Sequence, residues 1–555
     1  MSWYRTPCLA AALLSLLGPA AVVRAQEPSP ELPDSAAERA ISAYNAADIR
    51  MVGASDIAIG TTLEGSIAVL DGPLRVSGTV QGSVTVINGD LELLSGALIT
   101  GSALVVGGTV SGDTAAVQGG VVAYPEPLRY RFEGPGIARA RRPVRAVISA
   151  GRDFAFGRTD FLAAVHGGYN RVEGLPIVLG PRARLGHSNP TVLEAQAIIR
   201  TEKPLDYERY GWSLRAEQYL GGRRAVSFGV RARSEIVAIE SWMLSDLENS
   251  LATFLLHQDY RDHYRRQGWS IYLRAHHPQR PIDAMLEYRD ERHRSVRAAS
   301  PLSLIDNGKD WRHEPVIEEG TLRSLTLSLA YDTRNDENDP SAGWYVRGAV
   351  EQAINGDLSL TPEAGAVLGA DSTDNHFTHL EVDARRYLRF SPWARLALRV
   401  FTAGSLDGDA LPAQRQHALG GEGSLPGFPL FAQDCGARTQ TIERNGDGAY
   451  PFYGCDRLAL VQLEYQASFP FAGRLGDQLG LDLDLARAVR WSLFFDAGRA
   501  WIEGDARAGR SRGADDFFAD TGLGIRIGPL GLYGAIPISG RGHDFNFFVR
   551  IGQRF

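Results

Sequence analysis

The segment that decides the fold class of this chain is Phe545–Phe555, which reads Phe-Asn-Phe-Phe-Val-Arg-Ile-Gly-Gln-Arg-Phe. Apolar and polar residues alternate here with a period of two, as in a β-strand with two different faces. One face carries Phe545, Phe547, Val549, Ile551 and Phe555, with Gln553 as its exception, and the other carries Asn546, Arg550, Gly552 and Arg554. An apolar face toward lipid and a polar face toward a lumen are typical of a transmembrane β-barrel strand.

The same alternation recurs, more weakly, throughout residues 143–555. Segments of about ten residues are separated by polar turns, as a closed barrel requires, because every backbone group in lipid must be paired. We count sixteen candidate strands, starting near residues 144, 159, 193, 210, 224, 267, 281, 321, 343, 377, 394, 457, 489, 517, 530 and 545. An even count puts both ends of the barrel in the periplasm. A soluble sandwich would alternate too, but it would not need the aromatic Phe555 as its final residue.

The prediction is therefore an all-β chain: a 16-stranded antiparallel transmembrane β-barrel with a small N-terminal parallel β-solenoid. We interpret the apolar face of the last strand (Phe545, Phe547, Val549, Ile551 and Phe555) as the signal by which a barrel assembly machinery inserts the protein into outer-membrane lipid. Neither an overall disordered chain nor a helical membrane protein fits, since 44% of residues are hydrophobic and no uncharged apolar run reaches about 18 residues. The net charge of -7 argues against a nucleic-acid partner.

The N-terminus carries an expected export signal and linker. Residues 1–25 combine Arg5, an apolar run and a small-x-small cleavage site, as in a secretory signal peptide. Residues 26–49 are rich in Pro, Ala and Glu and predict a linker with one or two helical turns near Ser35–Ala47. A second linker, rich in Pro and Arg, is expected at 123–142.

Between the linkers, residues 50–122 contain a β-rich repeat. Glu64-Gly65-Ser66, Gln81-Gly82-Ser83 and Thr100-Gly101-Ser102 recur at spacings of 17 and 19 residues, each followed by a β-branched or apolar run. A fixed period with Gly at the corners favours a parallel β-solenoid of about four rungs. The segment resembles the polymer-forming bactofilin-type β-helix, which implies an interaction or spacer module. The alternative is a generic Gly/Val-rich β segment.

Two residue types carry further expectations. After signal removal only Cys435 and Cys455 remain, and an oxidising compartment favours one disulfide over two free thiols. Closing a loop of this size contributes roughly 3 kcal/mol in the chain-entropy model. Of the 58 basic residues 56 are arginine, which reflects either a coding bias or arginines that line a polar lumen.

Residues 239–268 interrupt the strand pattern with helical spacing. The apolar residues involved are Leu244, Leu247, Leu251, Phe254 and Leu255. We place this helix on the extracellular side, between the fifth and sixth strands. It is either a loop helix folded over the barrel mouth or a helix that binds a partner.

Several motifs of the C-terminal part resemble one family. Asp332, Arg334, Pro340 and Gly343 form an Asp-x-Arg … Pro-x-x-Gly strand and turn, and Leu425-Pro426-Gly427-Phe428 is similar to the tip of a long sixth extracellular loop. With Leu463-Glu464-Tyr465, Phe494-Phe495-Asp496-Ala497-Gly498 and the C-terminal strand, they resemble the Omp85 superfamily, the bacterial surface antigen barrels that include outer-membrane assembly and translocation pores. The resemblance covers about 230 residues.

The resemblance gives two lumen residues a role. Strand parity places Glu464 and Asp496 in the lumen, where the family pattern has acidic partners for an arginine at the tip of the infolded loop. Here that position is Pro426. Arg415, Arg438 or Arg444 are candidates to replace the arginine, and ordinary lumen polarity is the alternative explanation of both acids.

The functional expectation follows from the resemblance. It implies assembly or translocation of client outer-membrane proteins or lipids, through a seam between a first strand (Val144–Asp153) and a last strand (Asp544–Phe555). The β-solenoid stands where family members carry periplasmic POTRA domains. The alternatives are a surface structural or anchor protein, whose solenoid binds a periplasmic polymer or self-assembles, and a passive pore. No Gly-x-Ser-x-Gly elbow, His-Glu-x-x-His motif or calcium-loop pattern occurs, so we expect no enzyme activity, metal or cofactor.

Overall fold

A computed structural model describes the chain from residue 32 to residue 555. The residues outside this description are 1–31, 134–135, 141–146, 155, 187–188, 204–206, 222–224, 277–280, 306–307, 309, 363–374, 392–393, 434, 436–441, 445–446, 450–453, 469–488, 504–515 and 540–543. The expected signal peptide at 1–25 therefore lies outside the described residues.

The N-terminal part is a parallel β-solenoid of about four turns. Its strands are β1 Ile49–Val52, β2 Ser55–Ile57, β3 Thr62–Glu64, β4 Ile67–Leu70, β5 Leu74–Val76, β6 Thr79–Gln81, β7 Val84–Ile87, β8 Leu91–Leu93, β9 Leu98–Ile99, β10 Ala103–Val106, β11 Val110–Gly112 and β12 Val121–Tyr124. They form three parallel sheets, ordered β1-β4-β7-β10-β12, β11-β8-β5-β2 and β3-β6-β9. The rungs enclose an apolar core, as the repeat spacing predicts.

The rungs stack in the register of the sequence repeat. Ile67 pairs with Val84, and Val84 pairs with Ala103, which reproduces the spacings of 17 and 19 residues. The corners are too tight for side chains: a Cβ at Gly89 would lie 1.9 Å from the carbonyl oxygen of Gly72 in the preceding rung. The glycine spacing thus follows from the backbone-to-backbone contact between turns.

Both expected linkers contain regular structure. Helix α1 (Asp34–Ala46) buries Ala36, Ala37, Ala40 and Tyr44 against the solenoid, beside Leu70, Ile87 and Val106. Strands β13 (Tyr130–Glu133) and β14 (Gly136–Arg139) form an antiparallel hairpin. The helical turns predicted near Ser35–Ala47 form helix α1, whereas the hairpin within 123–142 was not predicted, and apolar and aromatic side chains of both segments pack on the solenoid.

The C-terminal part is a 17-stranded antiparallel sheet that forms the wall of a β-barrel. Its strands are β15 Val147–Phe154, β16 Gly157–Val165, β17 Pro176–Leu185, β18 Thr191–Arg200, β19 Tyr210–Leu220, β20 Val226–Ala238, β21 His263–His276, β22 Ile282–Ser295, β23 Gly320–Asp332, β24 Gly343–Gly356, β25 Thr378–Ser391, β26 Ala394–Ser405, β29 Arg457–Ser468, β30 Val489–Trp501, β31 Phe518–Ile527, β32 Leu530–Ser539 and β33 Asn546–Ile551. A short hairpin, β27 (Ile442–Arg444) and β28 (Asp447–Ala449), interrupts the connection between β26 and β29. Helix α2 (Asp246–Leu256) lies between β20 and β21.

The strand count corrects the prediction of sixteen. The additional strand is β17, and the first strand begins at Val147 in the described residues, since 144–146 lie outside them. The two ends of the sheet approach the same turn of α2. Ser250 accepts a hydrogen bond from the backbone N–H of Tyr169, which follows β16, and Glu248 accepts one from the N–H of Ile551 on β33 (both 2.8 Å). The sheet is therefore curled on itself.

The two faces of the wall differ as expected for a transmembrane barrel. Outward side chains are exposed and apolar, for example Leu327, Leu493 and Phe547. Arginines paired with carboxylates fill the lumen: Arg233 with Glu291, Arg266 with Glu235, Arg399 with Asp383, and Arg415 with Glu351, at 2.6 to 2.8 Å. Within the described part of the chain, neither helix is long and apolar enough to cross a membrane.

Candidate functional site

The connection between β26 and β29 brings the loop motif into the lumen. Its four residues, Leu425, Pro426, Gly427 and Phe428, are all buried. The backbone N–H of Gly427 donates to Oδ2 of Asp520 (2.6 Å), and Asn546 of the last strand donates to the carbonyl oxygen of Pro426 (2.8 Å). The ring of Phe428 stacks on Phe518 at 4.9 Å. The motif is thus fixed to the inner wall at the strands nearest the end of the sheet.

Three carboxylates and one guanidinium form a buried cluster beside this loop, which we call the acidic cluster: Glu464, Asp496, Asp520 and Arg554. Each of the four is at most 1% exposed. Asp496 and Asp520 are direct partners in the ladder between β30 and β31, so their side chains share one face. Arg554 donates to Oδ2 of Asp496, and its guanidinium lies 3.8 Å from the ring centre of Phe494.

Arg554 is the cation that pairs with the predicted lumen acid Asp496. Pro426 supplies no charge, yet the cluster still holds a buried arginine, and that arginine comes from the tail that follows the last strand. Of the three replacements expected from the sequence, Arg415 instead pairs with Glu351 at 2.6 Å. Arg438 and the side chain of Arg444 lie outside the described residues. A charge-assisted contact therefore joins the acidic wall to the chain end rather than to the loop tip.

The chain reaches this cluster because the last strand ends early. Gly552 has a φ of +93°, a conformation that favours glycine, and its N–H donates to the carbonyl oxygen of Pro529 (2.7 Å). The residues after it turn into the lumen, where the hydroxyl of Tyr387 donates to the carbonyl oxygen of Phe555 (3.1 Å). Phe555 is 7% exposed and packs beside Tyr387 and Ala397. The expectation that Phe555 shares the outer face is wrong, whereas Phe545, Phe547 and Val549 are exposed on that face, and Ile551, the last strand residue, is partly buried.

The strand-and-turn motif lies at the end of the barrel where the connections are short. Arg334 donates through its side chain to both carboxylate oxygens of Asp332 (3.0 and 2.8 Å). Arg395 donates to the carbonyl oxygen of Pro340 (2.9 Å), and Gly343 begins β24. The turn between β23 and β24 thus reaches across to β26.

Asp339 in this turn connects four parts of the lumen. Its carboxylate pairs with Arg395 (2.8 Å), Arg490 (2.9 Å) and Arg526 (3.2 Å), and Gln553 of the C-terminal tail also donates to it. Burial raises the pKa of Asp339, but the three arginines outweigh this and hold the pKa well below its usual value. The turn therefore ties the tail to the wall by charge.

The hairpin β13–β14 joins the same turn to the N-terminal part. The backbone N–H of Tyr130 donates to the carbonyl oxygen of Asn335 (2.8 Å), and the side chain of Asn335 returns a hydrogen bond to the carbonyl oxygen of Tyr130 (3.0 Å). Arg129 donates to the carbonyl oxygen of Asp332 (3.2 Å). A continuous set of contacts thus runs from the hairpin to the turn, the tail and the acidic cluster.

Helix α2 lies inside the barrel and holds the last strand. A Ser245–Glu248 capping box begins the helix. Glu248 also pairs with Arg550 of β33 (2.6 Å), and Arg550 donates to the carbonyl oxygen of Glu422 in the lumen loop (3.1 Å). The helix therefore contacts the seam of the barrel itself, rather than covering its mouth alone.

The seam is the gap between the two ends of the sheet. In the described residues no ladder joins β33 to β15 or β16. β33 pairs with β32 over six residues, whereas β20 and β21 pair over thirteen. The last strand is thus held by fewer backbone hydrogen bonds than the strands on the far side of the barrel.

Sequence reasoning missed several residues of this site. Asp520 shares the parity of Gly522 and Gly524 in its strand, which was a usable signal for the lumen. Asp339 and Glu248 lie in a turn and a helix, where strand parity gives no information. Near the loop motif, Cys435 and Cys455 form a disulfide that closes part of the lumen loop.

Comparison with known proteins agrees with this geometry. Residues 318–555 match the model of the Omp85 superfamily domain. This part of the chain is an Omp85 superfamily domain. The matched residues contain the strand-and-turn motif, the lumen loop, the acidic cluster and the last strand, and the domain belongs to a bacterial outer-membrane barrel.

Solved structures of three proteins are similar to the chain. The crystal structure of BamA from Haemophilus ducreyi lacking POTRA domains 1–3 has a TM-score of 0.42 and 16% identity, over 73% of this chain and 75% of that one. CdiB from Escherichia coli has a TM-score of 0.33 and 12% identity, over 77% and 67%. CdiB from Acinetobacter baumannii has a TM-score of 0.29 and 9% identity, over 73% of this chain and 59% of that one. A search among curated proteins gave no match.

Proposed function

We propose that this Omp85 domain assembles or translocates outer-membrane proteins or lipids by opening the seam, without enzyme chemistry. The observation that carries the proposal is the short last strand. Six residues tilted by about 45° cover roughly 14 Å of an apolar band that is about 25 Å tall. The strand next to the lipid is therefore shorter than the apolar band at β33. Local thinning of the bilayer and lateral insertion of a strand cost the least free energy there.

The lumen contents support the same proposal over a passive pore. The loop motif, helix α2 and the C-terminal tail all lie inside the barrel, and ion pairs join them to one another and to the wall. A conducting barrel would need an aqueous path through these contacts. In the proposed orientation the short-turn end and the solenoid face the periplasm, with the hairpin β13–β14 fixing the solenoid to the barrel.

The test is depletion of the protein followed by quantitative proteomics and lipid analysis of the outer membrane. We expect other barrel proteins, or one lipid class, to fall at least about twofold, a change well within the reach of a lost assembly route. The matched control is a strain that expresses the chain without residues 50–122, which separates the barrel from the solenoid. Unchanged outer-membrane composition together with steady ion conductance in a planar bilayer would refute the proposal and favour a pore. Loss of filament formation or of wall binding when only residues 50–122 are deleted, while the barrel still inserts, would favour an anchor.

A further inference from the structure

Strand β15 is one strand too many for an antiparallel barrel that closes on itself. Antiparallel neighbours alternate in direction, so a ring that is antiparallel throughout needs an even number of strands. The sixteen wall strands from β16 to β33 meet this condition. The seventeenth, β15, runs in the same direction as β33 and pairs with the free edge of β16. It therefore occupies the position at which the last strand would meet the first.

β15 is held to the barrel chiefly by its ladder. It pairs with β16 over eight residues, from Val147–Ala164 to Phe154–Gly157. Its residues 150–154 are exposed on both faces, whereas strands such as β29 and β30 have one face that is buried along most of its length. The ion pair between Asp153 and Arg158 (3.7 Å) is exposed and adds little. Backbone hydrogen bonds of this kind are available to any strand of suitable length, because they do not depend on side-chain identity.

The opposite border of the seam is occupied as well. Glu248 accepts the hydrogen bond of the Ile551 N–H and pairs with Arg550, which holds the end of β33 toward α2. After Gly552 the chain turns into the lumen and leaves the wall. β33 thus makes contacts of its own with α2, and β15 alone pairs with the seam edge of β16 in the described residues.

We propose that β15 is a resident strand, which covers the seam edge of β16 until an extended strand from another polypeptide displaces it. The inference rests on the proposed function and adds a built-in competitor to it. The displacing partner is an alternating apolar and polar strand of at least eight residues, as at the end of another outer-membrane barrel. Phe161 of β16 is 54% exposed on the lipid-facing surface. The apolar face of the displacing strand would lie next to it and continue that surface.

The tether sets the strength of this competition. Only two residues separate the paired Phe154 and Gly157, so β15 competes at an effective concentration of millimolar or more. A free strand of equal intrinsic affinity at about 0.1 mM should therefore occupy the edge of β16 in about one tenth of the molecules or fewer. Removing β15 should raise binding of that strand about tenfold.

Photo-crosslinking on the full chain in lipid vesicles tests the proposal. Phe161 is replaced by p-benzoylphenylalanine, and the probe is a synthetic peptide with the sequence of residues 544–555 at about 0.1 mM. In one variant the pair Arg152→Cys and Thr159→Cys, which are opposite in the ladder, locks β15 to β16. The control pair Ala163→Cys and Leu179→Cys locks β16 to β17 instead. In the mature chain expected after signal removal, Cys435 and Cys455 are already joined, so they do not compete for the new thiols.

We expect the first lock to lower the crosslink yield at least about tenfold, with recovery after reduction, and the control lock to leave it unchanged. Replacing residues 147–154 by a proline-containing segment of equal length, which lacks N–H donors for the ladder, should raise the yield about tenfold. Equal yields with and without the first lock, or no crosslink in any folded variant, would overturn the proposal. The peptide is added to purified protein, so this test does not depend on the depletion experiment. Successful exchange at β16 together with an unchanged outer membrane after depletion would reject the proposed function and leave the resident-strand proposal standing.

Discussion

Replacing Arg554 by leucine should destabilise the barrel more than any exposed substitution in its wall. The guanidinium and the carboxylate of Asp496 are both completely buried, and Glu464 and Asp520 lie in the same cluster. Removal of the only cation of a buried pair leaves its partner charge uncompensated, which costs about 3–5 kcal/mol. The loss of the contact between the tail and the wall should also release Phe555 from its site beside Tyr387.

The assay is urea-dependent unfolding in lipid vesicles, followed by tryptophan fluorescence and by the gel mobility of the folded barrel. The double variant Arg554→Leu with Asp496→Asn should recover most of the lost free energy, because no buried charge then lacks a partner. Pro426→Arg in the Arg554→Leu background should also recover part of it, by returning the cation to the loop tip. The matched control is Arg323→Leu, whose pair with Asp290 lies on the exposed surface, and it should leave the unfolding curve unchanged.

Two results would refute this reasoning. A loss of less than about 1 kcal/mol for Arg554→Leu would mean that the cluster does not need its arginine. A full loss that Asp496→Asn fails to relieve would mean that Arg554 acts through packing on Phe494 rather than through charge.

Three further predictions concern other contacts. Glu248→Gln leaves Arg550 without its counter-charge and should cost about 3 kcal/mol in the same unfolding assay, whereas Glu248→Asp should cost less, and equal losses would contradict the charge argument. The neighbouring arginines lower the pKa of Asp339 in the folded state. Asp339 therefore stabilises the fold at pH values above its ordinary pKa of about 4, and this contribution is lost as the pH falls below that value. Asp339→Asn should therefore flatten the acid limb of the stability profile, and an unchanged limb would assign that limb to other groups. Gly89→Val places a side chain against the backbone of Gly72 and should cost about 1–3 kcal/mol in the solenoid, seen as faster proteolysis of residues 50–122 with an intact barrel.

The strands of the barrel can be predicted from the local alternation of apolar and polar residues. The residues of the lumen site can be predicted from it only in part. Period-two alternation was enough to predict the barrel, and it put Glu464 and Asp496 on the strand face that the structure buries in the lumen. Strand β17 escaped detection because Gly180 and Pro181 interrupt its middle, and its ladder with β18 is broken at the same two residues. The predicted total of sixteen thus included β15 and omitted β17.

The contents of the lumen could not be predicted from strand parity. The left-handed turn at Gly552 redirects the chain, and the period-two pattern continues past it in the sequence as if the strand did not end. Glu248 and Asp339 act through partners about 300 and 50 to 210 residues away along the chain. Such pairings depend on how the sheet curls, which no local pattern contains.

The bond between Glu248 and Arg550 spans 302 positions of the chain and constrains the order in which the protein can mature. Both groups lie within the cylinder, so helix α2 must already be inside when the final hairpin docks. If the barrel closed before α2 entered, the helix would be left outside the lumen. We therefore expect docking of the C-terminal hairpin to come late in biogenesis, because contacts so remote in sequence form slowly.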